Sequence, residues 1–446
     1  MKFRKVLKVL VAAMFSGLVV NAQSGRALSL REAVEMGTKN NLLVNQANLN
    51  MQRAGVNWQQ AKGNMIPSLG ASVGHNFSSG RGLDRVSNAY VNQEQYNADW
   101  SLGSDVTIFN GFRLWNVLRA NAYSYEAGKW EWQQAKDNLT LDIILAYLQI
   151  LTNQDQLELA RIQTAQMQEQ VNRLIIMNEQ GAIIPSDLTD LQGSLASNKI
   201  AEINSKNALE SAKLTLAQLL NIPYDSTLQV ERLPTEQFDM SYASTPDSIY
   251  AVAVEQLAMA KAPELRRLSA EKFMQAARGN LYPSVGLNGG IGTAWSSTAR
   301  DGSNGKIGYY DQLKNNYGTF VSLGLNIPIL NNFVARNNVK RAKIDLKETQ
   351  LIEANTQIRL KQIIERDHLN MVASVNRYRI LVDQVSALTQ SFRAAEARFN
   401  AGAGNSIDFL TARNNLDRAN ISLIVARYDY ALRTKILDFY QGRQLW

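Results

Sequence analysis

The chain has 446 residues, with 47 Lys+Arg against 39 Asp+Glu, two His and no Cys. That length can bury a substantial core, and the lack of Cys excludes disulfides, thiolate metal sites, Cys nucleophiles and a lipid-modified N-terminal Cys. Two histidines, His75 and His368, leave almost nothing from which to build a His-ligated metal centre or a Ser-His-Asp relay.

Residues 1–22 read as a cleaved export signal: Lys2, Arg4, Lys5 and Lys8 form a basic start, an apolar run follows over 9–20, and Val20-Asn21-Ala22 offers a small-residue cleavage site. The apolar run is shorter than the roughly 20 residues of a spanning helix. Those four charges are half of the net +8, so the mature chain is only mildly basic and nucleic acid is not an expected partner. A helix is expected over 39–66, ended by Pro67, since proline disfavours helix in the residue before it. Period-two alternation then sets Leu69, Ala71, Val73, His75 and Phe77 on one face, and Leu102, Val106 and Ile108 on another such segment. The polar link 79–98 reads as an exposed loop. From 110 to 180 there is no proline, which predicts one helix of about 105 Å. A turn at Gln180-Gly181-Ala182 leads to a helix over 185–220, and Pro223, Pro234 and Pro246 punctuate a linker over 223–247. The second half repeats the order: a helix over 263–282, strands about 285–295 and 321–327 joined by a polar link 298–316, a long helix, a turn at Ala401-Gly402-Ala403 and a helix over 406–440. The most apolar helical stretch, 141–151, is interrupted by Asp142 and Gln149, so no transmembrane helix is expected.

The repetition is literal. AKGNMIPSLG at 61–70 matches ARGNLYPSVG at 277–286, SLGSDVTIFNGF at 101–112 matches SLGLNIPILNNF at 322–333, and Gly181 and Asp187 correspond to Gly402 and Asp408. The period is too long for a solenoid, so the chain reads as a tandem duplication. Each copy carries a heptad seam. In the first it runs Leu139, Ile143, Ala146, Ile150, Leu157, Ala160, Met167, Val171, Leu174, and in the second Leu360, Ile364, Asp367, Met371, Ser374, Tyr378, Leu381, Val385, Leu388, Phe392, Ala395. Mates follow each turn, at Leu188, Leu191, Leu195, Leu209, Ala212 and Leu216, and at Phe409, Ala412, Leu416, Ala419, Leu423, Ala426 and Tyr430, giving antiparallel coiled-coil hairpins. The shorter helices of the first copy, laid end to end, match its long helix. Those of the second fall short, and a helix near 247–261 is expected to cover the difference.

A soluble sandwich shares the strand alternation. Segments of about ten residues, the length of a tilted bilayer crossing, and aromatics near segment ends (Trp100, Phe109, Trp295, Tyr317, Phe320) favour a membrane sheet instead. Four strands cannot close a barrel, and an open edge in lipid costs several kcal/mol per unpaired group, so copies must join. On this reading the helices project into the periplasm and Asp105 and Asn326, on the polar faces, line the lumen.

The duplicated helix–Pro–strand–loop–strand–helix order, the strand exits TIFNGF and PILNNF, and the tip turns GAIIPSDL and GAGNSIDF together resemble the outer-membrane efflux proteins typified by TolC, over essentially the whole mature chain. The resemblance implies a mainly α protein with membrane β. Outer-membrane efflux repeats would cover 23–222 and 248–446, flanking an equatorial linker, with three chains forming a 12-stranded barrel continued by a 12-helix periplasmic barrel. It implies an unlipidated outer-membrane duct of a Gram-negative bacterium, without cofactor, metal or catalysis, fed by an inner-membrane transporter through a periplasmic adaptor. It also implies a tip constriction at Asp187, Asp190 and Asp408, with Thr411 in place of a fourth acid, and adaptor docking at Gly181, Ala182, Gly402 and Ala403. The plainer role of Asp187 and Asp408 is to stabilise helix N-termini, and that of the glycines is chain reversal. Phe399 and Gly404 stand where the family's best-known member has a polar lock, so other contacts are expected to hold the tip. The competing function is a non-conducting periplasmic coiled-coil stalk or adaptor. No convergent acid/base or nucleophile set supports a secreted enzyme.

Overall fold

The computed structural model describes residues 27–84, 88–232 and 244–443. The expected signal and residues 233–243 of the expected linker lie outside the described residues. The first half of the chain forms α1 (Leu30–Asn40), α2 (Leu42–Gly63), β1 (Gly70–Asp84), β2 (Ala89–Asn110), α3 (Arg113–Glu179) and α4 (Pro185–Leu220). The second forms α5 (Pro246–Gln256), α6 (Ala258–Gly279), β3 (Ser284–Ser296), the short α7 (Tyr309–Asn315), β4 (Gly318–Asn326), α8 (Val334–Asn400) and α9 (Ser406–Tyr440). The long helices α3 and α8 have 67 residues each, about 100 Å.

The shorter helices differ from expectation in one instructive way. Each copy opens with an 11-residue helix followed by a 22-residue one. The first break falls at Asn41, whose extended backbone (ψ 128°) interrupts the helix while its Oδ1 accepts from the Leu43 and Val44 N–H groups. Leu257 (ψ 139°) makes the second break without such a cap, and so Pro263 lies inside α6 instead of starting it. The helix expected near 247–261 is present as α5 and covers the shortfall of the second copy, while α1 is its unexpected counterpart in the first. The C-terminus of α4 abuts the α1–α2 junction, where the Asn41 amide donates to the Leu219 carbonyl (3.1 Å), so α2 and α4 together flank the whole of α3.

Every apolar member of the first seam is buried, and polar Asn153 meets its cost by donating to the Ala208 carbonyl at 2.9 Å. In the second seam Leu360, Ile364, Asp367, Met371, Ser374 and Ala395 are buried, whereas Tyr378, Leu381, Val385, Leu388 and Phe392 are half-buried. Buried Asp367 accepts from the Tyr440 hydroxyl at 3.1 Å. Across the sheet of helices α6 lies between α3 and α8 toward the strands, and α9 takes that place in the far half, so the two copies pack side by side.

The four strands form one antiparallel sheet in the order β1-β2-β3-β4. The polar row Asp105–Asn288–Ser322 and the pair Ser284–Asn326 lie on one face. The other face carries Val73, Trp100, Leu102, Ile291, Trp295 and Leu323. Phe320, one of the aromatics near segment ends, shares the polar face with its neighbour Gly290, and its ring edge comes within 2.9 Å of where a Cβ on that glycine would sit. The expected loop 79–98 is mostly strand, because β1 and β2 stay paired out to Asp84–Ala89. Beyond Asn97–Ser296 both faces of this ribbon are polar or mixed, so the alternation that marks a strand in sequence disappears while the backbone pairing continues. Ile327, expected within the last strand, falls just past β4. Among the described residues no helix is long and apolar enough to cross a membrane.

Sheet and helices are joined by paired left-handed residues, Gly111 (φ +64°) with Phe112 (φ +61°) and Asn332 (φ +51°) with Phe333 (φ +61°). At the first of these a side chain is excluded by contact as well as by φ, since a Cβ on Gly111 would lie 2.5 Å from the Gly279 carbonyl oxygen.

Candidate functional site

Far from the strands, the two helical hairpins end in turns of the same design. After α3, the Gly181 N–H donates to the Asn178 carbonyl (3.0 Å) and the Ala182 N–H to Met177 (2.9 Å). After α8, Gly402 donates to Phe399 (3.1 Å) and Ala403 to Arg398 (3.0 Å). This double closure satisfies carbonyls at the helix end and needs a left-handed residue, which Gly181 (φ +68°) and Gly402 (φ +72°) supply. A Cβ on either glycine would meet nothing within 4 Å, so both turns present open surface. The return helices start differently. Pro185 opens α4 with no side-chain cap, while the Asn405 Oδ1 caps α9 by accepting from the Asp408 N–H at 2.7 Å.

The expected acids separate into three environments. Asp187, in the first turn of α4, is half-buried and helps line a cleft of about 180 Å³ with Arg173, Met177, Ile184, Phe399 and Gly404. Asp190 is exposed and accepts from the Ser406 hydroxyl at 2.8 Å, tying the first hairpin to the start of α9. Asp408 is exposed in the first turn of α9. Asp190 and Ser406 are thus brought together across the two copies.

Phe392 and Phe409 were expected seam members of the second hairpin, but the contacts that join the two hairpins at this end were not visible in sequence. Phe409 is fully buried, stacked on Phe399 (ring centroids 4.9 Å, 19° between planes) and near Phe392 (5.7 Å), in a cluster with Met167, Val171, Leu174 and Leu191. Arg173 near the end of α3 donates to the Asn400 side chain at 2.8 Å. Two turns behind the tip, buried Arg413 donates to the Gln163 carbonyl (2.9 Å) and stands 3.7 Å from Asp417, which accepts from the Gln163 amide at 2.8 Å. Burial pushes the Asp417 carboxyl above its ordinary pKa despite Arg413 and Gln163, and pushes Arg413 below its own despite Asp417. An Arg and Asp four apart on a helix look in sequence like any surface pair, so nothing announced that this one lies between two helices.

At the opposite end, Asp105 is fixed on the polar face of the sheet by Ser68, whose hydroxyl donates to its carboxylate and whose N–H donates to its carbonyl. Asn326 stands on the same face beside Ser284 on the neighbouring strand. The arrangement can pass or hold solutes along a polar surface. It brings no nucleophile and general base together at the tip.

A family model described as outer membrane efflux protein matches the chain twice, over residues 34–221 and 251–443. The outer membrane protein TolC of Vibrio cholerae is 25% identical over 306 residues, covering 68% of this chain and 67% of the relative. The outer membrane efflux protein BepC of Brucella suis is 23% identical over 453 residues, covering 98% of this chain and 91% of BepC. Among solved structures, the outer membrane protein VceC from Vibrio cholerae shares the fold with a TM-score of 0.78 at 15% identity, covering 94% of this chain and 97% of VceC. On both copies of the matched region, the chain belongs to the outer membrane efflux protein family, whose members are outer-membrane channel proteins with a periplasmic helical extension.

Proposed function

We propose that three copies of this chain close into one duct, a 12-stranded barrel in the outer membrane continued by a 12-helix periplasmic barrel, which conducts substrates outward without chemistry of its own. The observation that carries this is the open four-stranded sheet. One of its faces is apolar, its outer strands β1 and β4 pair with no further strand among the described residues, and it continues into helices of about 100 Å. Family members work in tripartite systems with an inner-membrane pump and a periplasmic adaptor. By that likeness the adaptor docks at the turns bearing Gly181, Ala182, Gly402 and Ala403. Asp187, Asp190 and Asp408 repeat around the axis as carboxylates at the tunnel's narrow end, and Asp105 and Asn326 face the barrel lumen. Rings of carboxylates favour cation passage. The polar sheet face and the polar-rich helix surfaces suit a water-filled passage.

Single-channel recording of the purified protein in planar bilayers tests this. We expect conductance with cation preference, reduced in the doubly substituted Asp187→Asn, Asp408→Asn protein while conductance persists. A well-inserted sample without conductance would instead favour the stalk or adaptor reading. Unchanged selectivity would remove these two acids from the constriction.

A further inference from the structure

The chain contains one junction between its two copies, and a closed ring needs the same junction again between neighbouring chains. Within the chain β2 pairs with β3, and α3 packs on α6 and α9. In the duplicated pattern β4 repeats β2, β1 repeats β3, and α8, α2 and α4 repeat α3, α6 and α9. The repeat extends to strand register: Gly70 faces Gly103 and Ala71 faces Leu102 in the first copy, as Gly286 faces Gly324 and Leu287 faces Leu323 in the second.

The edges that have no counterpart within the chain are bare. Every residue of β4 is exposed, as are Leu42, Leu49 and Val56 on α2 and Ile344, Leu351 and Ile358 on α8. A glycine makes the point sharper. Gly279 lacks a side chain because a Cβ there would lie 2.8 Å from the Arg113 Cβ and 2.9 Å from the Gly111 carbonyl oxygen. Its counterpart Gly63, in the matching KGNMIP segment, would meet only the tip of Gln60, on its own helix, at 3.8 Å. Nothing among the described residues requires Gly63 to be glycine, but a second copy placing Asn332 and Val334 where Gly111 and Arg113 stand would require it.

At the internal junction the hydroxyls of Ser124 and Ser269 are 2.8 Å apart. Their counterparts are Asp345 on α8 and Arg53 on α2, oppositely charged and both exposed. We propose that the edge formed by α8 and β4 docks on α2 and β1 of a second copy, with Asp345 paired to Arg53 of the next chain. Gly324 is then opposite Gly74, Leu323 opposite His75 and Asn326 opposite Ser72. A neutral hydroxyl pair inside the chain is thus replaced by an ion pair between chains. Ser269 is buried at the internal junction, so the equivalent pair is enclosed between chains, where it acts mainly to set register and an unpaired partner is costly. This assignment rests on the ring-closed reading above and adds its register.

The experiment uses the full chain, which has no native Cys. Arg53→Cys combined with Asp345→Cys is treated with a short bis-maleimide in detergent. The comparison protein carries Arg53→Cys with Ile352→Cys, two helical turns or about 10 Å further along α8. Light scattering of the untreated wild type gives its oligomeric state. We expect covalent oligomers from the first combination and essentially none from the second. As a folding-independent check, Arg53→Glu alone should lower the temperature at which the oligomer dissociates, and Arg53→Glu with Asp345→Arg should restore it. An oligomeric protein that fails to link at 53/345, links equally at 53/352, or shows no restoration by the double reversal overturns this register and leaves the duct standing. A monomeric wild type overturns the duct and this assignment together.

Discussion

Gly181 and Gly402 carry two requirements that separate cleanly by mutation. Their left-handed φ closes the helix ends, and their exposure leaves room for a partner. An alanine at either site incurs only the conformational penalty, roughly 1–2 kcal/mol, whereas tryptophan adds bulk to the surface of the turn. With adaptor docking at these turns, Gly181→Trp and Gly402→Trp abolish export in cells while outer-membrane levels and oligomer stay normal, and the corresponding alanine variants still export. Export surviving both tryptophans would remove the turns from the docking surface. These two glycines, with Asp187 and Asp408, were legible in the sequence because backbone geometry fixes them locally and the duplication shows them twice. Arg173, Ser406 and Arg413 were not, since each acts on a helix hundreds of residues away in the chain or on the other copy, where periodicity carries no information.

At the scale of elements, the long helices were the most legible part of the fold. Their seams have the right period over many turns, and α4 and α9 begin and end where proline, cap and glycine signals place them. The break at Asn41 escaped notice because one residue in extended geometry leaves the apolar pattern on either side intact, and the break expected between 261 and Pro263 falls earlier, at Leu257. The packing of α9 on α3 allows a test with a definite sign. Burial raises the folded pKa of Asp417 above its ordinary value, so the folded state holds this proton more tightly than the unfolded chain does. The associated stability is fully present below the ordinary carboxylate pKa of about 4 and is lost as pH rises through the raised one. Asp417→Asn mimics the neutral form and keeps an oxygen for the Gln163 amide. Thermal melting followed by circular dichroism should therefore show the variant more stable than wild type at pH 7, with the difference fading toward pH 4. A variant less stable at neutral pH would mean that the charge on Asp417 is needed opposite Arg413.

For the whole molecule, the sheet was half legible. Its bilayer-length core showed the expected alternation, whereas the paired extension of β1 and β2 beyond Asn97 was hidden, because a strand bathed in water on both faces has no reason to alternate. That difference predicts how the parts tolerate change. The 22 residues of β2 would span about 73 Å, far more than the roughly ten residues that a crossing uses. Past Ser296 only β1 accompanies it among the described residues, and an isolated two-stranded ribbon contributes little independent stability. Replacing residues 79–94 with an Asn-Gly turn, which joins the paired Ser78 and Gln95, should leave the described pairings of β2 with β3 and of β3 with β4 intact. The shortened protein should then insert, oligomerise and conduct in planar bilayers much as wild type does. Introducing Arg in place of Leu102 and Leu323, within the four-stranded core, should prevent insertion, since such charges on the lipid face cost about 2–4 kcal/mol each near the bilayer midplane. Loss of conductance on trimming the ribbon, or normal insertion of the doubly charged sheet, would show that the membrane-crossing part lies elsewhere in the chain.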